Sequence, residues 1–206
     1  MFRLPRLYAI VDPLDTGQQP VALAEALLAG GARCLQLRWK PAPPRDVLEA
    51  ARAIRLLAHA AGALFLVNDR PDLAILAAAD GVHLGQDDLP LAAARRVLGP
   101  GRVVGLSTHD PDQARRAADA GADYVAVGPV YATTSKVNAL TPRGPDLVRA
   151  ARAVVPCPLV AIGGIDVTTA QDVIAAGADA VAMIGALVRA PDPGTAVCEV
   201  LARLAP

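Results

Sequence analysis

The sequence predicts a single (β/α)8 barrel of the α/β class, with residues 1–206 forming one domain. Eight short apolar runs recur along the chain: LYAIVD (7–12), CLQLRW (34–39), LFLVND (64–69), GVHLG (81–85), VVGLST (103–108), YVAVGP (124–129), LVAIGG (159–164) and AVAMIG (180–185). Each has the length of a buried strand, and the Ala/Leu/Arg-rich stretches between them carry helical spacing. Runs that are apolar on both faces belong in a parallel sheet covered by helices. Eight strand–helix units in 206 residues close most economically into a barrel. The competing layout, an open doubly wound sheet, would want a GxGxxG after its first strand, and none follows LYAIVD.

The helix-to-strand turns repeat one device: AGGARC (29–34), AAADGV (77–82), DAGADYV (119–125) and AAGADAV (175–181). A glycine or alanine pair ends the helix and turns the chain back, and the charged residue is expected to cap the bend.

Composition excludes several functions. The chain is 53% hydrophobic and 19% charged with a formal net charge of zero, which gives no electrostatic case for nucleic acid or an acidic membrane surface. Aromatic residues make up 3%, too few for base-stacking platforms. Cys34, Cys157 and Cys198 lack CxxC spacing and read as reduced, mostly buried thiols of a cytoplasmic protein. The N-terminal MFRLPRLYAIVD meets charge too early for a secretory signal, and no apolar run approaches a membrane span.

In a barrel of this kind the chemistry sits where strands end and helices begin. Here that rim reads Asp12; Arg38 and Lys40; Asn68 and Asp69; Gln86, Asp87 and Asp88; Ser107, Thr108 and His109; Gly163 and Gly164; and Gly185. Two of the 20 basic residues are lysines, Lys40 and Lys136, and both fall on the rim. Strand alternation turns Gln36, Arg38 and Lys40 toward the barrel axis and Leu35, Leu37 and Trp39 toward the helices. Two cations inside a concave mouth call for an anion such as a phosphate or diphosphate. The alternative is a pair of internal ion pairs with Asp12 or Asp69.

VNDRPD (67–72) and GQDD (85–88) place carboxylates at neighbouring strand ends. Asp69 and Asp88 could supply the one or two carboxylates that Mg2+ takes beside waters and phosphate oxygens. Asp72 belongs in a helix first turn. The glycines of AIGGI (161–165) and MIGAL (183–187) would let backbone N–H groups approach an oxyanion. The longest non-periodic stretch, 128–145, reads as a binding loop, with Thr133, Ser135 and Lys136 able to close over a phosphate. His59 is expected at the surface, His83 as a satisfied core residue, and His109 as a candidate acid or base. No Ser-His-Asp arrangement or zinc spacing is evident.

QLRWK, LVNDR, GVHLGQDD, GLSTH, GADYVAVGPVYATTSK, VAIGGI and AVAMIGAL, in this order and from about Leu7 to Leu187, resemble the thiamine phosphate synthase family. The resemblance implies a transferase that joins hydroxymethylpyrimidine diphosphate to thiazole phosphate by a dissociative substitution, with thiamine phosphate and pyrophosphate as products. It implies Gln36, Arg38, Lys40 and Asn68 at the pyrimidine diphosphate and Asp69 and Asp88 at Mg2+. Ser107 and Lys136 would reach the diphosphate. Thr133, Thr134, Ser135, Gly164, Ile184 and Gly185 would hold the thiazole phosphate. Arg38, Lys40, Ser107 and Lys136 would carry catalysis.

Two positions depart from the family pattern. Trp39 stands where glutamate is usual, on the outward parity, and Gly185 stands where a serine hydroxyl is usual. The rivals are a thiazole tautomerase of the same barrel family, which would use Ser107 and His109 as acid and base, and a non-catalytic barrel that binds thiamine precursors. A phosphate-sugar isomerase would want a rim glutamate or cysteine base, which the sequence lacks. Expected partners are the small-molecule substrates, with no nucleic acid and no membrane; whether the chain forms a homo-oligomer is left open.

Overall fold

The computed structural model of the chain describes residues 3–13, 16–133 and 141–205. Eight parallel strands run β1 (Leu7–Val11), β2 (Cys34–Leu37), β3 (Leu64–Asn68), β4 (Gly81–Leu84), β5 (Val103–Thr108), β6 (Tyr124–Val127), β7 (Leu159–Ile162) and β8 (Ala180–Met183). They pair in chain order, and β8 returns to β1 through the Leu7–Val181 and Ala9–Met183 register, so the sheet is a closed barrel. The helices are α1 (Pro20–Ala29), α2 (Pro44–Ala60), α3 (Pro71–Leu76), α4 (Leu91–Leu98), α5 (Pro111–Asp119), α6 (Gly144–Arg152), α7 (Ala170–Ala175), α8 (Gly185–Val188) and α9 (Pro193–Leu204). Among the described residues no helix is long and apolar enough to cross a membrane.

Local chemistry explains where the helices start. α1, α2, α3, α5 and α9 each begin on a proline, whose fixed φ suits the first helical turn and whose missing N–H would have no helical partner there. Asp110 caps α5 by accepting the Gln113 N–H at 2.7 Å. Asp192 caps α9 by accepting from Gly194 and Thr195. As expected, Asp72 lies in the first turn of α3 and His59 in the last turn of α2.

Strand alternation sorts the core into two. Leu35, Leu37, Phe65, Val82 and Val104 face the helices in one continuous cluster. Tyr8, Cys34, Leu66, Tyr124, Ala126, Val160, Ala180 and Ala182 form a second cluster, the filling of the barrel itself. The parity expected for β2 holds: Leu35 and Leu37 pack outward, Trp39 packs against the outer cluster, and Gln36 is buried on the inward side.

The turn chemistry departs from expectation in three places. The aspartates of the A-D turns do not cap their own bends. Asp80 accepts the backbone N–H of Phe65 at 2.7 Å, Asp123 that of Val104 at 2.7 Å and Asp179 that of Leu159 at 2.8 Å. Each thus ties the entry of an even-numbered strand to the first residues of the odd strand before it. Asp123 and Asp179 add ion pairs to Arg95 and Arg152. Arg33 does cap, donating to the carbonyls of Leu28 and Ala32 at the end of α1. In AAADGV the left-handed residue is Ala78, at φ 54°, where the neighbouring turns use glycine. Of the cysteines, Cys34 is buried, Cys157 is partly exposed and Cys198 is exposed, because Cys198 rides on the outer helix α9.

Removing a charge-assisted bond to a backbone N–H at a strand entry leaves that donor poorly solvated. Asp123→Ala is expected to lower unfolding free energy by about 1.5–3 kcal/mol, read as a lower urea midpoint with unchanged slope.

Candidate active site

The carboxyl ends of the strands enclose a cleft of about 740 Å³, in the range of pockets that hold small organic ligands. Gln36, Arg38, Lys40, Asn68, Asp69, Asp88, Ser107, Thr133, Gly164, Ile184 and Gly185 all line it. The structure therefore brings together every expected site residue that it describes. Thr134, Ser135 and Lys136 lie outside the described residues.

The cations on the rim are already paired. Arg38, 8% exposed, donates through Nη1 to Asp12. Lys40 Nζ lies 2.7 Å from Asp69 Oδ2, with half of its side chain in solvent. Both internal ion pairs offered as the alternative to an anion are thus present. They do not exclude an anion. The Arg38 contact engages one terminal nitrogen of a five-donor fork, and the exposed Lys40 pair is an exchangeable one.

Asp69 occupies the left-handed region at φ 61°, which costs most side chains energy but which aspartate and asparagine tolerate. Its N–H donates to the His83 carbonyl at 2.8 Å, so the ladder between β3 and β4 extends one residue and fixes this turn. The carboxyl faces Asp88, which accepts the Gly85 N–H at 2.6 Å. Burial and the adjacent Asp69 raise the Asp88 carboxyl above its usual range. Burial opposes ionisation of Asp69 too, but hydrogen bonding to Asp88 and Lys40 outweighs it and holds Asp69 low. Two carboxyls at a shared spot, each disturbing the other's ionisation, suit a hard divalent cation.

The opposite wall is glycine-lined. Gly163 and Gly164 take φ values of 94° and 64°. A Cβ on either would fall within 3 Å of the segment Pro129–Ala132, which is bonded to β7 through Val130 N to Ile162 O and Tyr131 N to Gly163 O, each 2.9 Å. In this structure the close approach these glycines permit is made by the chain's own loop. At Gly185 a Cβ would sit 3.7 Å from the Arg189 guanidinium, so Arg189 covers the departure from serine with a cation that lines the cleft.

Beneath the cleft lies a buried polar chain. Gln36 Nε2 donates to Tyr8 Oη at 2.6 Å. Tyr8 Oη is 3.0 Å from Tyr124 Oη, Tyr124 Oη 2.8 Å from His83 Nδ1, and His83 Nε2 2.8 Å from Ser107 Oγ. Tyr124 stacks on His83 and meets Tyr8 edge-on. The satisfied His83 matches expectation. Sequence reasoning set Ser107 beside His109, whereas the structure bonds its hydroxyl to His83. The third member, bonded to His83 Nδ1, is a tyrosine hydroxyl where a triad has a carboxylate. His109 sits apart, its Nδ1 2.7 Å from the Gly128 carbonyl.

Tyr8, Tyr124 and Arg189 were not singled out from the sequence. One signal for Tyr124 was available: Gly105 interrupts VVGLST and registers opposite Tyr124. A glycine inside a strand marks a close approach, and here a Cβ would lie 1.9 Å from Tyr124 Cζ.

Comparison with known proteins agrees with this geometry. The family model described as thiamine monophosphate synthase matches residues 7–187. The chain is 47% identical over 191 residues to a thiamine-phosphate synthase of Moorella thermoacetica, covering 92% of this chain and 91% of that protein. It is 50% identical over 195 residues to the thiamine biosynthesis bifunctional protein ThiM/ThiE of Symbiobacterium thermophilum, covering 95% of this chain and 40% of that longer protein. The solved structure of thiamine phosphate pyrophosphorylase from Pyrococcus furiosus superimposes with a TM-score of 0.88 at 34% identity, over 97% of this chain and 95% of that one. On the matched span, the identity to full-length relatives and the shared barrel, the chain belongs to the thiamine monophosphate synthase family.

Proposed function

We propose that the chain, acting as one catalytic domain in the cytoplasm, is a thiamine phosphate synthase. It joins hydroxymethylpyrimidine diphosphate to thiazole phosphate, giving thiamine phosphate and pyrophosphate. The observation that carries this reading is the meeting of a cation pair, Arg38 and Lys40, with a carboxyl pair, Asp69 and Asp88, at one cleft mouth. That is the equipment for a diphosphate leaving group.

In the reaction the bond between the pyrimidine methylene and the diphosphate oxygen breaks, with both electrons leaving on the diphosphate. The lone pair of the thiazole nitrogen then forms the new carbon–nitrogen bond. No proton is lost, so no general base is needed. The protein's task is to stabilise the leaving charge and to align the two halves. Asp69 and Asp88 would hold Mg2+, which neutralises diphosphate charge when bound. Lys40, now paired with Asp69, would be free to meet a phosphate oxygen if Asp69 were to hold the metal. Arg38 stays anchored on Asp12 and offers its remaining N–H groups. Gln36 and Asn68 hold the pyrimidine half, and Ser107 and Lys136 reach the diphosphate. Thr133, Thr134, Ser135, Gly164, Ile184 and Gly185 hold the thiazole phosphate.

The test is an assay of purified protein with both substrates and Mg2+. Equal release of thiamine phosphate and pyrophosphate, abolished by a chelator, is expected. Folded protein that makes neither product would overturn the reading and turn attention to the tautomerase substrate, with His109, whose ring also lines the cleft, as the residue to mutate.

Lys40→Ala, at a half-exposed side chain, should lower kcat about 10²–10³-fold with an unchanged Tm. Asp69→Asn keeps a residue suited to the left-handed backbone while removing the charge, so calorimetry should show Mg2+ binding lost and Tm retained. The raised Asp88 carboxyl also sets a pH dependence. Below its raised pKa the group is protonated and must release that proton to bind metal, so affinity falls as pH falls through that value. Calorimetry in two buffers of different ionisation heat should find proton release on binding in that range and none well above it.

A further inference from the structure

The buried chain from Gln36 to Ser107 links two site residues on β2 and β5, which β3 and β4 separate in the barrel. Its members are nearly sealed from solvent: Gln36 2%, Tyr8 1%, Tyr124 0%, His83 8% and Ser107 3% exposed. Burial pushes both phenols well above their ordinary pKa, so each keeps its proton and must donate it. A buried hydroxyl that fails to donate keeps the full cost of its lost hydration. The pattern of donors then follows from one end. Gln36 Nε2 already donates to Tyr8 Oη, so the Tyr8 proton goes to Tyr124 and the Tyr124 proton to His83 Nδ1. With Nδ1 accepting, the neutral imidazole carries its proton on Nε2 and donates to Ser107 Oγ. The Ser107 proton is left to point into the cleft.

The geometry points to Tyr8, Tyr124 and His83 as positioning residues that form a one-way hydrogen-bond chain and make Ser107 a donor toward the leaving diphosphate. This inference rests on the synthase reading for its substrates. It adds a coupling between the two ends of the pyrimidine site. With Nε2 engaged by Tyr8, Gln36 presents its Oε1 to the cleft, where the exocyclic amine of the pyrimidine can donate to it. Amine, Gln36, Tyr8, Tyr124, His83, Ser107 and diphosphate oxygen then donate each to the next, and successive bonds in one direction polarise one another. A pyrimidine with a carbonyl in place of the amine would turn the Gln36 amide over and reverse every member. Ser107 would then meet the diphosphate with a lone pair.

The alternative is that Ser107 donates to His83 and acts as a nucleophile, with the imidazole as its base. The two arrangements differ in one proton. The chain has three histidines, so nitrogen-15 NMR of the ligand-free protein resolves them, and the His83 signals are those missing from His83→Gln. A proton on Nε2 alone is expected; a proton on Nδ1, with or without one on Nε2, overturns the inference. This readout needs no turnover, so it stands or falls apart from the synthase assay.

The second measurement uses both substrates. Tyr124→Phe preserves the ring and removes the relay. It should lower kcat about 10-fold and leave the KM for thiazole phosphate unchanged. In a Ser107→Ala background the same change should have no further effect, because the chain acts through the serine. Equal losses in both backgrounds, at matched Tm, would assign the tyrosine a merely structural role and sink the proposal.

Discussion

Closure of the sheet between β8 and β1 is the constraint from which the rest follows. Once the strands meet around an axis, every side chain must point either to the helices or to a narrow interior. The outward positions become a continuous aliphatic layer. The inward ones must fill a tapering space and still leave a mouth. Small residues on β6, β7 and β8 and two tyrosines on β1 and β6 meet that demand together. Each tyrosine brings a hydroxyl into a place sealed from bulk solvent, and a hydroxyl there needs partners. The polar floor of the cleft is therefore the obligatory consequence of how the barrel is filled.

At the mouth above that floor, cations and carboxylates among the described residues meet in pairs. Arg38 pairs with Asp12 and Lys40 with Asp69, while burial and the adjacent Asp69 raise the Asp88 carboxyl. Pairing offsets the cost of holding these described charges partly away from water. Each pair joins the cleft mouth to a strand end, so both signs of charge are held at fixed positions.

Much of this was legible in the sequence. The eight runs mark the eight strands to within a residue or two. The parity of Gln36, Arg38 and Lys40 follows from alternation alone, and the rim residues cluster as their positions after the runs require. What was not legible depended on contacts between strands distant in the chain. The aspartates of the A-D turns look like local caps, because a sequence displays the bend next to them and not the strand entry across from them. Arg38 and Lys40 carry the same letters whether they meet an anion or an aspartate. Tyr8 and Tyr124 were hidden in runs scored for apolarity, where a phenol counts as a ring and its hydroxyl is overlooked. Arg189 reaches the cleft by folding over a glycine four residues earlier, a contact without a motif.

The void at Gly105 has a consequence for how this chain can vary. Tyr124 occupies the volume that any side chain at 105 would claim, and its oxygen is spoken for on two sides. The two positions are one packing unit divided between neighbouring strands. A larger residue at the first demands a smaller one at the second, and a smaller one there breaks the line that reaches His83. Substitution at either site is thus confined to moves made in concert, and lineages that keep the tyrosine must keep the glycine with it.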